Sequence, residues 1–146
     1  MSSAAISAWK IPETNISSYF LLKLLNRHHP DWNHGEDIRC LTKVPETKWI
    51  SEDKGFSSKI YSLKLTVNDK IYQFCVKIPS IFHLEANIIA ENDEIAEEQK
   101  SEARQIITQT HARELEFYAN ISVYFKSLKV PKFFYGREWT NEHEVC

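Results

Sequence analysis

The sequence predicts an α+β fold, and three observations carry that prediction. Residues 59–78 alternate apolar and polar on either side of a two-residue turn, residues 103–126 repeat apolar side chains at helical spacing, and a shorter helical repeat stands near the N-terminus. With 146 residues and 42% hydrophobic content the chain is sized for one compact domain with a modest core. The organisation expected is an extension with a short helix over 1–36, the main α+β body over 37–136, and a polar tail over 137–146.

Residues 1–8 are small and polar and are expected to fray. Ser17 or Ser18 can then cap a helix in which Leu21, Leu24, Leu25 and His28 fall at helical spacing, and Pro30 ends it. The stretch 30–37 (PDWNHGED) reads as a loop, and the mixed run 38–51 holds a strand near Thr47 to Ser51. From Lys59 to Val67, Tyr61, Leu63, Leu65 and Val67 share one strand face while Ser62, Lys64 and Thr66 share the other. Asn68 and Asp69 make the turn, both types tolerating positive φ. The return strand, Ile71 to Ile78, sets Tyr72, Phe74, Val76 and Ile78 against Ile71, Gln73, Cys75 and Lys77, and Pro79 terminates it.

Between Glu85 and Glu102 seven acids face one base, Lys100, and such a run reads as a solvated helix face or a loop. The long helix is expected from Ala103 to Lys126, followed by a strand at Phe133 to Tyr135, entered through Pro131. The sheet is thus expected to be small, twisted and antiparallel, with the long helix packed on it.

Charge and composition narrow the function. A net charge of −2 without a Lys/Arg cluster lacks the footprint of a nucleic-acid-binding domain. The uncharged apolar stretch Tyr19 to Leu22 is far too short to span a membrane or serve as a signal core, so no membrane partner is expected. Three cysteines without a C-x-x-C pair suit a reducing, cytoplasmic setting. His28, His29 and His34 have no cage of further ligands and read as solvated or capping residues.

The chemistry-bearing residues fall on three elements. On the long helix Ile107, Glu114, Tyr118, Ile121 and Phe125 stack on one face, so Glu114 sits in an apolar stripe and needs a cation or several donors. Lys77 on the return strand is the candidate cation. Ahead of the hairpin, Asp53-Lys54-Gly55-Phe56-Ser57-Ser58 is turn-prone and ends on Ile60. A glycine-turned loop, a strand lysine and a helix glutamate make a phosphate clamp. Loop N–H groups meet phosphate oxygens, the ammonium neutralises charge, and the carboxylate holds the lysine in one rotamer.

With KGFSSKIY (54–61), FCVKIP (74–79), HARELEFY (111–118) and VPKFFYG (130–136) in that order, the chain resembles the choline-kinase-like and ecdysteroid-kinase-like phosphotransferases. The resemblance covers most of the chain from about Thr47 and implies the amino-terminal lobe of a protein-kinase-like fold. It makes Gly55, Phe56, Ser57, Ser58 and Ile60 the nucleotide loop, Lys77 the nucleotide lysine, Glu114 its partner, and Cys75 the small residue facing adenine. ATP and Mg²⁺ are the implied cofactors, and a small-molecule hydroxyl the implied acceptor.

The departures are specific. Against G-x-G-x-x-G-x-V only Gly55 remains, with Asp53, Ser58 and Ile60 at the other positions. The family's His-Gly-Asp catalytic loop and later metal-binding Asp do not occur in these 146 residues, so the lobe is expected to be inactive alone and to meet an acceptor only if a second lobe is supplied. His34-Gly35-Glu36 is a decoy, lying upstream of the hairpin with Glu for Asp. Two other readings stay open: a non-catalytic interaction module or weak nucleotide-binding fragment, and an unrelated helix-on-hairpin domain in which Lys77 and Glu114 are an ordinary surface pair.

Overall fold

The computed structural model describes residues 3–51, 57–81, 85, 88, 92–127 and 129–140. They fall into two compact units, one drawn from residues 3–51 and 60–77, the other from 57–59 and from 78 onward.

The first unit opens with α1, Ser3–Ala8, where fraying was expected. Tertiary anchors hold this short segment: Ile6 is buried, and the Ser18 hydroxyl donates to the Ile6 carbonyl at 2.8 Å. The second helix, α2 (Ser18–His28), begins where the sequence placed it. The Ser17 side chain accepts from the Phe20 N–H, and Arg27 and His28 in the last turn complement the helix dipole. Its buried side chains are Ser18, Leu21, Leu22 and Leu25. His28 is exposed, so the apolar face is centred on Leu22 rather than on the expected row.

A 3₁₀ turn, Ile38–Cys40, leads to β1 (Glu46–Trp49), β2 (Ser58–Val67) and β3 (Lys70–Pro79), which form one sheet in the order β1-β2-β3. β1 runs antiparallel to β2, with Glu46 opposite Lys64 and Trp49 opposite Tyr61. Asn68 turns the β2–β3 hairpin with φ of 54°, a left-handed conformation that asparagine tolerates. One sheet face supplies Leu65, Val67 and Tyr72 to a core with Ile6, Leu22, Leu25, Trp32, Ile38 and Leu41. Burying about 25 cal/mol per Å² of apolar surface on that face alone fixes the strand register, because a one-residue slip would expose it.

The second unit contains α3, Asp93–Glu116, which starts ten residues before the expected helix. The Asn92 side chain accepts from the Ile95 N–H at 3.0 Å, and Asp93 and Glu94 occupy the first turn, where acids favour the dipole. Much of the acidic run is therefore helix, with Glu94, Glu97, Glu98 and Glu102 exposed. A π turn, Phe117–Ile121, and a 3₁₀ turn, Ser122–Tyr124, replace the last expected α-helical turns. The π turn inserts a residue into the helical repeat, a rotation of about 100° for all that follows. Ile121 and Phe125 consequently leave the stripe and are 40% and 50% exposed.

Phe133 to Tyr135 form no strand. This segment lies along α3 instead. The Phe133 ring stacks on Tyr118, Gly136 approaches Leu115 so closely that a Cβ would sit 2.3 Å from Leu115 Cδ2, and Trp139 is buried with Ile81 and Ile107. The aromatic side chains that suggested a strand are used against a helix.

Candidate functional site

The sheet face opposite the first unit's core is open along β3 and partly covered along β2, where Thr66 is buried. Along β3, Ile71, Gln73, Cys75 and Lys77 are exposed while Tyr72 is buried, as the period-two reading requires. On β2 the same alternation sets the half-buried Ile60 and Ser62 and the exposed Lys64 against buried Tyr61, Leu63 and Leu65. Gln73 donates to the Ser62 hydroxyl across the hairpin at 3.4 Å, and Lys64 stands 4.0 Å from the Glu46 carboxylate. Ile60, Cys75 and Lys77 are thereby brought onto one solvent-facing surface. The Cys75 thiol is free and exposed.

The residues on either side of 52–56 are hydrogen-bonded to each other. The buried Ser51 hydroxyl accepts from the Ile60 N–H at 2.8 Å and from the Trp49 indole N–H at 2.9 Å, while the Ile50 N–H donates to the Ile60 carbonyl at 2.8 Å. Replacing Ser51 by alanine would strand two donors, each costing about 1–3 kcal/mol when buried. Ser51 was not singled out from the sequence. Its role depends on a donor nine residues away, which no local pattern announces. Gly55 and Phe56 themselves lie outside the described residues.

In the second unit the Ser57 carbonyl accepts from the Ser80 N–H at 3.0 Å, so the residue preceding β2 is tied to the residue following β3. Ser58 opens β2 and is half-buried. Glu114 is half-buried on α3, between the buried Ile107 and the Tyr118–Phe133 stack in sequence. Lys77 belongs to the first unit and Glu114 to the second.

A second polar constellation joins the loop after α2 to the hairpin. His34 Nε2 lies 2.7 Å from the Tyr72 hydroxyl, Trp32 donates its indole N–H to the Gly35 carbonyl at 2.8 Å, and His29 packs edge-on against Tyr72 and Phe74. His34 is thus a structural partner of the hairpin rather than a solvated residue. His29 is the C-cap of α2, its N–H donating to the Leu25 carbonyl.

Among the described residues no group of three or more His, Cys, Asp or Glu side chains is placed to hold a metal ion, and no helix is long and apolar enough to cross a membrane. Comparison of the chain with protein-family models, with curated proteins and with solved structures finds no match.

Proposed function

We propose that this chain is a nucleotide-binding lobe of the small-molecule-kinase type, taking ATP on the open face of its hairpin. The observation that carries the reading is that Ser51 and Ile60, on either side of 52–56, are hydrogen-bonded to each other, and that Ile60, Cys75 and Lys77 share one side of the hairpin. In this reading backbone N–H groups from Gly55 to Ser58 meet phosphate oxygens, Ile60 and Cys75 flank the base, and the Lys77 ammonium neutralises the α- and β-phosphates. Mg²⁺ would accompany ATP, and among the described residues no group of three or more His, Cys, Asp or Glu side chains is placed to hold it.

These side chains bind and orient. Transfer to a hydroxyl needs an acceptor-orienting Asp and metal ligands, and no His-Gly-Asp segment occurs in these residues. Purified 1–146 should therefore hold ATP without consuming it in the presence of choline-like, aminoglycoside-like or steroid alcohols. A cytoplasmic setting goes with this reading, in keeping with the unbridged Cys40 and Cys75 and with a Cys40 thiol whose pKa is pushed up by burial.

The test is a titration of the chain with a fluorescent ATP analogue, repeated with Lys77→Met and Glu114→Gln. Saturable binding weakened about tenfold or more by Lys77→Met, a loss of about 1.4 kcal/mol, supports the reading. Absence of saturable binding, or binding indifferent to Lys77→Met, overturns it. A second reading, an interaction module, draws on Val123, Tyr124 and Phe125, which are 65%, 81% and 50% exposed. It predicts association with rising concentration, visible by light scattering and insensitive to nucleotide.

A further inference from the structure

Among the described residues of the second unit two buried side-chain polar atoms have no hydrogen-bond partner, and both lie along the seam between α3 and the extended segment 133–139. His111 Nε2 is 2.9 Å from the Arg137 carbonyl oxygen. A carbonyl can only accept, so Nε2 carries the proton, and in the neutral ring Nδ1 is left as an acceptor. That Nδ1 is buried and unpartnered. The Trp139 indole Nε1–H, a donor only, is also buried and unpartnered, in a residue 4% exposed.

Sequence spacing and packing bring these atoms to one stretch of the seam. Ile107 and His111 are one helical turn apart on the same face of α3, Trp139 is buried with Ile107, and the carbonyl that engages His111 belongs to Arg137, two residues before Trp139. No direct bond joins the indole to the imidazole. An orphaned buried donor and acceptor each cost about as much as a lost hydrogen bond, and folded proteins commonly satisfy such groups with ordered water.

We propose that one buried water molecule bridges the Trp139 Nε1–H and His111 Nδ1, accepting from the first and donating to the second, and that this bridge latches segment 133–139 onto α3. The latch adds a polar tie to the Phe133–Tyr118 stack and to the close approach of Gly136 to Leu115. Together these contacts brace the part of α3 from Ile107 to Tyr118, which carries Glu114. The inference concerns the second unit alone and stands whether or not the chain binds nucleotide.

The test uses the whole chain, ¹⁵N-labelled, and reads water-to-indole cross-peaks in paired nuclear and rotating-frame Overhauser spectra. Trp32 and Trp49 are internal controls, because their indole N–H groups already donate to the Gly35 carbonyl at 2.8 Å and to the Ser51 hydroxyl at 2.9 Å. A cross-peak from the Trp139 indole proton to a long-lived water, without one from Trp32, supports the bridge. A Trp139 indole with no such cross-peak overturns it. Trp139→Phe gives a second reading, since it keeps a ring on Ile107 and removes the N–H. In a double-mutant cycle with His111→Ala the bridge predicts Tm losses that are clearly less than additive, whereas additive losses would contradict the proposal.

Discussion

The 11-residue α2 buries four side chains, and the 24-residue α3 buries one, Ile107. That contrast runs through the two units. The first wraps helices around one face of a sheet, so Leu22, Leu65, Val67 and Tyr72 meet in a single core. The second gathers Ile81, Ile107 and Trp139, and the rest of α3 is held by its Asn92 cap, by segment 133–139 at Leu115 and His111, and by ion pairs such as Lys100 with Glu97 at 2.6 Å and Arg104 with Glu85 at 2.8 Å. Exposed pairs of that kind contribute far less than a buried leucine in a core. Helical length is therefore a poor guide to where this chain keeps its stability.

The largest expected effect breaks the first unit. Leu22 is fully buried, and Leu22→Ala should cost about 2–5 kcal/mol by urea unfolding, with the near-ultraviolet signal of Trp32 and Tyr72 lost first. A cost under about 1 kcal/mol would mean that this core is not what holds the sheet. A smaller effect strikes the second unit. In Gly136→Ala the new Cβ would meet Leu115 Cδ2 at 2.3 Å and Phe133 Cζ at 2.8 Å, so we expect about 1–3 kcal/mol of overpacking. Hydrogen exchange should accelerate in 129–140 and in α3 while β2 and β3 keep their protection.

Matched cap deletions sharpen the comparison at about 1 kcal/mol each. Ser17→Ala and Asn92→Ala remove the same kind of bond, yet Asn92→Ala should lose more helical circular dichroism, because α3 has so little buried surface to hold it once uncapped. Equal losses would put the two helices on the same footing. The smallest effect is electrostatic. Side-chain and backbone hydrogen bonds from Arg39 hold the exposed Asp37 carboxyl down from its ordinary range to about 2. A carboxyl lowered in the folded state stabilises above its unfolded value, and that contribution is lost as pH falls from about 4 towards 2. Asp37→Asn should make acid unfolding shallower in that window, and an unchanged slope would show that the pair has no influence there.

The parts legible in the sequence are those where a local period coincides with a buried face. The β2–β3 hairpin was readable because every second residue from Tyr61 to Val67 enters the core, and α2 because Ser17 and Pro30 bracket it. The start of α3 was hidden by its acids, although Asn92 followed by Asp93 and Glu94 is a helix-start signal in its own right. The short α1 was hidden because a hydroxyl twelve residues away holds it. Phe133 to Tyr135 had strand-forming residues and a helical partner, and no single-residue propensity distinguishes the two uses. At the candidate site the face shared by Cys75 and Lys77 was legible from alternation alone, whereas the Ser51 anchor depends on pairing between β1 and β2.

The central claim is that the open face of the hairpin, and not the core face or the aromatic end of α3, receives nucleotide. Amide chemical-shift mapping of the ¹⁵N-labelled chain during titration with Mg-ATP tests it most directly. The account predicts saturable shifts at Ser57, Ser58, Ile60, Cys75 and Lys77, lost in Lys77→Met. Shifts confined to Val123, Tyr124 and Phe125, or no shifts at millimolar nucleotide, would contradict it.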